Sequence, residues 1–305
     1  MLSLFQAIFI TNASHIKNRL VVKKWVNVEE LLRTKAPKVY KLLPGFVIRY
    51  FIKLIHENDI NTILDDHQNL KCIDFSGAAL RDMGVEVVVA GIENIPLTGG
   101  YIFACNHPLG GLDGLAVIIS IGKVRRDIRY FVNELLLNLK PMRDVLVPVN
   151  INGKNTRKML EDVENIYKSD VALPIFPAGL VSRRQRDGSI KDLPWKKSFI
   201  AKARQYKKDV VPVWVEGKNS DFFYNFAYWR KKLGIKVNIE MLFLPDEMFG
   251  QKDKRITVHF GKPIPYTMFN NSLSDAEWAV KFQDELYNKK GTIVTQPLFE
   301  KTDAL

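Results

Sequence analysis

From Gly84 onward the sequence alternates short, β-branched apolar runs with longer segments that carry a polar face. The runs are residues 85–89, 101–105, 128–132, 145–149, 171–176, 210–215, 237–243 and 256–260. Each is apolar at nearly every position, so both faces of the strand it forms must be covered. Residues 155–168, 196–207 and 221–233 read as the intervening helices. Doubly buried strands alternating with helices define an α/β fold, a mostly parallel mixed sheet flanked by helices. Before Gly84 the period is helical, through Val28, Leu31 and Leu32 and again through Phe46, Ile48, Phe51, Ile52 and Ile55, with breaks at Pro37 and Pro44. The expected organisation is a helical N-terminal cap over residues 1–84, an α/β domain over 85–270, and a C-terminal helix (275–287) with a polar tail over 271–305.

The loop after the second run holds Asn106-His107-Pro108-Leu109-Gly110-Gly111-Leu112-Asp113-Gly114, and an apolar helix follows it. In open α/β sheets, reactive groups gather at this carboxyl edge of the strands. Glycines between His107 and Asp113 let the chain bend back, so that the carboxylate takes the Nδ1 proton and leaves the other nitrogen as a general base. The plainer alternative is a surface histidine and an N-capping aspartate. His15, His56, His67 and His259 lie in no comparable context.

A second segment, Ile175-Phe176-Pro177-Ala178-Gly179-Leu180-Val181-Ser182-Arg183-Arg184, ends a strand in a Pro-Gly turn and is followed by three arginines, Arg183, Arg184 and Arg186. Forked guanidinium donors suit phosphate or carboxylate. A solvated basic loop is the alternative. In Val211-Pro212-Val213 a proline interrupts an apolar run, which predicts a bulge or a strand end.

These three segments, in this order and approximate spacing, resemble the glycerophosphate and lysophospholipid acyltransferase family, its bacterial branch in particular, over about residues 85–265. The resemblance implies that His107 deprotonates the acceptor hydroxyl and that Asp113 orients it. It implies acceptor binding by Phe176, Pro177, Gly179, Ser182, Arg183 and Arg184, with Arg143 near the place of an acceptor-binding arginine. Val211, Pro212 and Val213 would shape the acyl-donor site. The family usually has four residues between His and Asp; here there are five. It usually reads Phe-Pro-Glu-Gly-Thr-Arg-Ser where this chain has Ala178, Leu180 and Val181 in place of Glu, Thr and Arg. Loss of the acidic residue argues for a lysolipid acceptor, lysophosphatidic acid or one with an amino-acid headgroup, ahead of glycerol 3-phosphate.

The implied reaction is O-acyl transfer from acyl-CoA or acyl carrier protein, in membrane lipid biosynthesis, with no bound cofactor and no metal. Cys105 raises a covalent acyl-enzyme, although a buried structural thiol is the expectation two residues before His107. A thioesterase or lipid hydrolase is the enzymatic alternative, but the chain lacks a Gly-x-Ser-x-Gly elbow.

The balance of 45 Lys and Arg against 33 Asp and Glu, a formal charge of +12, calls for an anionic partner. A basic lipid-binding or nucleic-acid-binding protein is the non-enzymatic alternative. Zinc-finger spacing and RNA-recognition signatures are both missing, so nucleic acid is not expected. No apolar stretch is long enough to span a bilayer; Arg49 and Lys53 interrupt one candidate and Asp113 another. Residues 2–10 are apolar but lack signal-peptide flanks, and read as a surface anchor or a frayed end. Residues 221–235 carry Phe222, Phe223, Tyr224, Phe226, Tyr228 and Trp229 beside Arg230, Lys231 and Lys232, more aromatic surface than one packed face needs. With Phe46, Arg49 and Lys53 this predicts contact with an anionic membrane surface. The two cysteines, without CxxC spacing, fit a reducing compartment, hence a cytoplasmic protein peripheral on the inner face of the membrane.

Overall fold

The computed structural model describes residues 24–133, 140–149 and 156–299, so residues 2–10 lie outside it. The N-terminal helices are α1 (Val28–Lys35), α2 (Pro37–Tyr40), α3 (Gly45–Leu54), α4 (Glu57–Asp66) and α5 (Cys72–Asp82). Then come β1 (Glu86–Ala90), β2 (Tyr101–Cys105), α6 (Gly111–Gly122), β3 (Tyr130–Asn133), β4 (Leu146–Val149), α7 (Arg157–Lys168) and β5 (Ala172–Ile175). A two-strand hairpin, β6 (Arg183–Arg184) and β7 (Ile190–Lys191), precedes α8 (Ser198–Tyr206), β8 (Asp209–Val215) and α9 (Asp221–Lys232). The chain closes with α10 (Leu244–Phe249), β9 (Arg255–Phe260) and α11 (Asp275–Lys289).

The main sheet has the order β1-β9-β8-β2-β5. Every pairing in it is parallel except β8 with β9. β3 and β4 form a parallel pair of their own, and Ile128 just before β3 bridges in parallel to Ala172 of β5. The sheet is therefore mixed and mostly parallel. Side chains alternate across β2 with the period of two that a strand imposes. Phe103 and Cys105 join Val211, Val213, Leu112 and Val117 on one face. Ile102 and Ala104 join Phe199, Val210, Trp278 and Phe282 on the other. Leu31, Ile48 and Phe75 of the N-terminal helices, with Val26 just before them, belong to the first of these cores, so cap and sheet share one apolar interior.

Two sequence expectations need correction, and the alternatives at Pro212 are decided. Residues 237–243 are not a strand. Ile239–Phe243 is a 3-10 helix leading into α10, whose Pro245 sits in the first turn, where its missing N–H costs nothing. The apolar run is punctuated by Glu240, which is fully buried and must reach cationic partners. The tail after α11 is not merely polar: Ile293, Leu298 and Phe299 are buried in the second core. Pro212, finally, is no strand end, because it lies within β8 between β9 and β2. The expected bulge is present. Val213 pairs with Phe260 but Val210 with Ile264, so Val211 and Pro212 oppose Gly261, Lys262 and Pro263. The side of Pro212 that lacks an N–H faces this interruption, and its carbonyl accepts from Gly261 N–H at 2.9 Å. A Cβ on Gly261 would stand 2.7 Å from the Pro212 ring, which explains the glycine.

Candidate active site

β8, β2 and β5 run side by side in one direction, so the loops that leave them converge at one edge. Asn106, the first residue past β2, locks that edge. Its side chain accepts from Val215 N–H at 2.6 Å and donates to Val215 C=O at 2.9 Å. His107 follows, and the chain turns through Gly110, whose φ of 79° and ψ of −123° suit only glycine, into α6. This turn absorbs the extra residue between His107 and Asp113.

Asp113 is fully buried in the first turn of α6. Its Oδ2 accepts three hydrogen bonds, from His107 Nδ1 at 2.8 Å, Leu109 N–H at 2.8 Å and Gly110 N–H at 2.9 Å. It therefore acts both as dyad partner and as cap for the helix start. Oδ1 is buried without a partner among the described residues. Burial pushes the Asp113 carboxyl above the usual range, and the His107 contact and the two amides oppose that rise. Other histidines also meet carboxylates: His56 with Asp59 and Asp246, His67 with Asp82, His259 with Glu216. Those carboxylates are 40% to 60% exposed, whereas Asp113 is 0% exposed and the His107 side chain 17%. Among the described histidines, His107 alone has its carboxylate partner held out of water.

The segment after β5 wraps the histidine. Phe176 stacks on the imidazole with ring centres 4.2 Å apart, and Tyr130 meets Phe176 edge-on at 5.9 Å. Pro177 accepts from Lys196 N–H at 3.1 Å, and Gly179, with φ of 69°, closes the turn back to the Phe176 carbonyl. Ser182 N–H donates to the His107 carbonyl at 2.8 Å. Asp192, which no motif signalled, is 3% exposed and accepts from His107 N–H and from Ser182 Oγ.

Comparison with known proteins places this arrangement. The sequence profile of the family described as "Acyltransferase" matches residues 30–297. The chain belongs to this acyltransferase family. It is similar to a protein of Bacteroides thetaiotaomicron named lyso-glycine lipid O-acyltransferase, with 47% identity over 263 residues, 86% of this chain and 96% of that one. A protein of the same name from Phocaeicola vulgatus is 43% identical, covering 86% of this chain and 94% of that one. Among solved structures, the 1-acyl-sn-glycerophosphate (LPA) acyltransferase PlsC of Thermotoga maritima matches with a TM-score of 0.47 and 16% identity, over 82% of this chain and 87% of that one.

The basic residues of this acyltransferase do not gather as the sequence implied. Arg183 is buried, with Nη2 2.9 Å from Glu240 Oε1 and Nη1 donating to the Val181 and Ser182 carbonyls. Arg230 Nε lies 2.6 Å from Glu240 Oε2, and Arg230 Nη2 donates to Glu240 Oε1 at 3.2 Å. Arg183 is thus one arm of a buried Arg-Glu-Arg cluster and also covers the Phe223 ring. Burial pulls its guanidinium pKa down and Glu240 opposes that. Arg184 pairs with Asp221 at 2.8 Å. Arg143 follows a 3-10 turn, Lys140–Met142, on the N-terminal side of β4, whereas His107 leaves the C-terminal end of β2. The structure does not bring Arg143 to His107. Val211, Pro212 and Val213 are buried inside β8 and form no open wall. Cys105 is fully buried and donates to the Phe103 carbonyl at 3.4 Å, and burial raises its thiol pKa well above the ordinary value, as for a structural thiol.

The cluster yields a stability prediction. Glu240→Ala leaves two buried guanidinium groups facing each other, which costs about 3 to 5 kcal/mol by the rule for broken buried ion pairs. A urea titration reads this as a lowered midpoint. An unchanged midpoint would mean that solvent reaches both arginines.

Proposed function

We propose that the protein moves a fatty acyl group from an acyl thioester, on coenzyme A or acyl carrier protein, to the hydroxyl of a lysolipid with an amino-acid headgroup. The observation that carries this is the dyad. Asp113 takes Nδ1 of His107, which leaves Nε2 to receive the hydroxyl proton as the oxygen attacks the thioester carbonyl. Collapse of the tetrahedral intermediate breaks the C–S bond, and the imidazolium returns its proton to the leaving thiolate. The negative oxygen of that intermediate needs backbone donors from a neighbouring loop. Two relatives named for a lyso-glycine lipid, together with Ala178 where the wider family has glutamate, favour the amino-acid headgroup over lysophosphatidic acid. The test is incubation with a labelled acyl thioester and a panel of lyso-aminolipids and lysophosphatidic acid, followed by lipid mass spectrometry. Acylation of lysophosphatidic acid alone would overturn the headgroup assignment.

Such an acceptor lies in a membrane, and two surfaces fit one. No helix among the described residues is long and apolar enough to cross a bilayer. α9 is apolar on two sides: Phe223, Tyr224 and Ala227 are buried, while Phe222, Trp229 and Leu233 beyond it are exposed, with Lys232 Nζ 4.7 Å from the centre of the Trp229 ring and Lys231 exposed at the same helix end. α3 presents Phe46, Arg49, Tyr50 and Lys53 at helical spacing, all exposed. Aromatic rings beside cations suit the interface of an anionic bilayer, here the inner face of the cytoplasmic membrane. The protein is expected to co-sediment with anionic vesicles and to come off largely as salt rises. Replacing Lys231 and Lys232 with Glu is expected to weaken that binding and to spare activity on detergent-dispersed lysolipid. Equal binding to neutral and anionic vesicles by both proteins would remove the basic cluster from the interface.

A further inference from the structure

We propose that Asp192 is a positioning residue that fixes the backbone of His107. The carboxylate lies just past β7, contributed by a segment 85 residues from the histidine, and is 3% exposed. Its Oδ1 and Oδ2 stand 3.2 and 3.1 Å from His107 N. Oδ1 also accepts from Ser182 Oγ at 2.5 Å, and Oδ2 from Trp195 Nε1 at 3.0 Å. Ser182 in turn donates its N–H to the His107 carbonyl at 2.8 Å. The result is a closed ring of hydrogen bonds, from His107 N–H to Asp192, from Ser182 to Asp192, and from Ser182 N–H back to His107 C=O. The peptide groups on both sides of the histidine are clamped by one loop.

A buried carboxylate is costly unless its lone pairs are used, and here the protein spends three donors on it without placing it in contact with solvent. A purely structural staple would not need to be aimed at this residue. Asp113 and Phe176 control where the imidazole ring points, but both act on the side chain. Without a fixed Cα the ring could keep both contacts and still shift relative to the acceptor. A shift of about 1 Å at a catalytic group costs on the order of a hundredfold in rate. Asp192 is itself held from the far side of the sheet: its N–H donates to Tyr287 Oη at 2.8 Å and its carbonyl accepts from Gln283 Nε2 at 3.3 Å, both residues on α11. The chain of contacts runs from the C-terminal helix through Asp192 to the catalytic loop.

The inference rests on His107 being the base of the proposed reaction, and the experiment separates the two. Asp192→Asn offers one acceptor oxygen in place of two and turns an amide donor toward His107 N–H or Trp195 Nε1–H. It is expected to lower kcat by about a hundredfold with KM for both substrates unchanged. The Nδ1 proton of His107, assigned in ¹⁵N-histidine-labelled protein, should broaden or disappear from its downfield position. Asn61→Ala is the stability control; it removes two buried side-chain bonds to the Val26 backbone, in the N-terminal helices, and none to Asp192 or His107. It should lower the thermal midpoint while retaining kcat and the Nδ1 signal. Ser182→Ala, which opens the ring at its hydroxyl, should lower kcat by about tenfold. It decides the matter if Asp192→Asn does not fold. The proposal is overturned if the folded Asp192→Asn protein keeps wild-type kcat or the wild-type Nδ1 signal, or if Asn61→Ala loses kcat to the same extent. If wild-type protein acylates no lysolipid, the functional reading has failed, and the Nδ1 signal alone decides the role of Asp192.

Discussion

His107→Ala is expected to lower acyl transfer by about a hundredfold to ten-thousandfold while the protein remains folded, because that is what a general base typically supplies. The two hydrogen bonds that fix this residue in the loop are made by its peptide groups and survive the substitution. The loss is confined to the Nδ1 bond to Asp113 and the stack on Phe176. No other described histidine can stand in. His56 caps α4, His67 ends it, and His259 lies on β9, the strand that runs against β8. Turnover measured with a thioester and lysolipid at saturation checks the expectation, with circular dichroism to confirm the fold. Unchanged turnover would remove His107 from the chemistry.

Asp113→Asn separates two roles that meet in one oxygen. The carbonyl of Asn at the Oδ2 position still accepts from His107, Leu109 and Gly110, and the amide falls where Oδ1 is now buried without a partner. The helix start is therefore preserved, as a capping role alone would require. The charge is what disappears, and with it the stabilisation of the imidazolium. By analogy with the equivalent change in a Ser-His-Asp triad, kcat is expected to drop by about ten-thousandfold. The amide N–H groups meet no acceptor among the described residues where Oδ1 is buried, so a stability loss of about 1 to 3 kcal/mol is expected beside the loss of turnover, and the two are measured separately. If turnover and melting temperature both stay near wild type, Asp113 is a helix cap and nothing more.

The parts of this site that could be read from the sequence are those whose partners are close along the chain. His107, Gly110 and Asp113 lie within one loop and one helical turn, so spacing alone reports their geometry. Arg183 looks free in the sequence because a basic residue after a Pro-Gly turn shows no partner close along the chain. Glu240 is 57 residues from Arg183, inside a run whose apolar neighbours mimic a strand. Asp192 left no trace for the same reason: Lys191-Asp192-Leu193-Pro194-Trp195 carries no motif, and its partner His107 is 85 residues away. The fold class was legible because doubly buried strands need apolar residues at every position whatever their neighbours. Helix ends shifted by only a residue or two, as helix ends do.

The pairing of β1 with β9 bears on how the protein is made. Glu86 faces Arg255, so the first strand waits for a partner 169 residues further along the chain. At a synthesis rate of roughly 5 to 20 residues per second, that interval lasts roughly ten to thirty seconds. Throughout it the nascent chain carries β1 without the strand that its backbone from Glu86 to Ala90 pairs with. Such exposed edges invite association between chains, which makes the growing polypeptide a natural client for a chaperone at the ribosome. A ribosome that stops before Arg255 releases a chain that has the loop of His107 and Asp113 but cannot close its sheet.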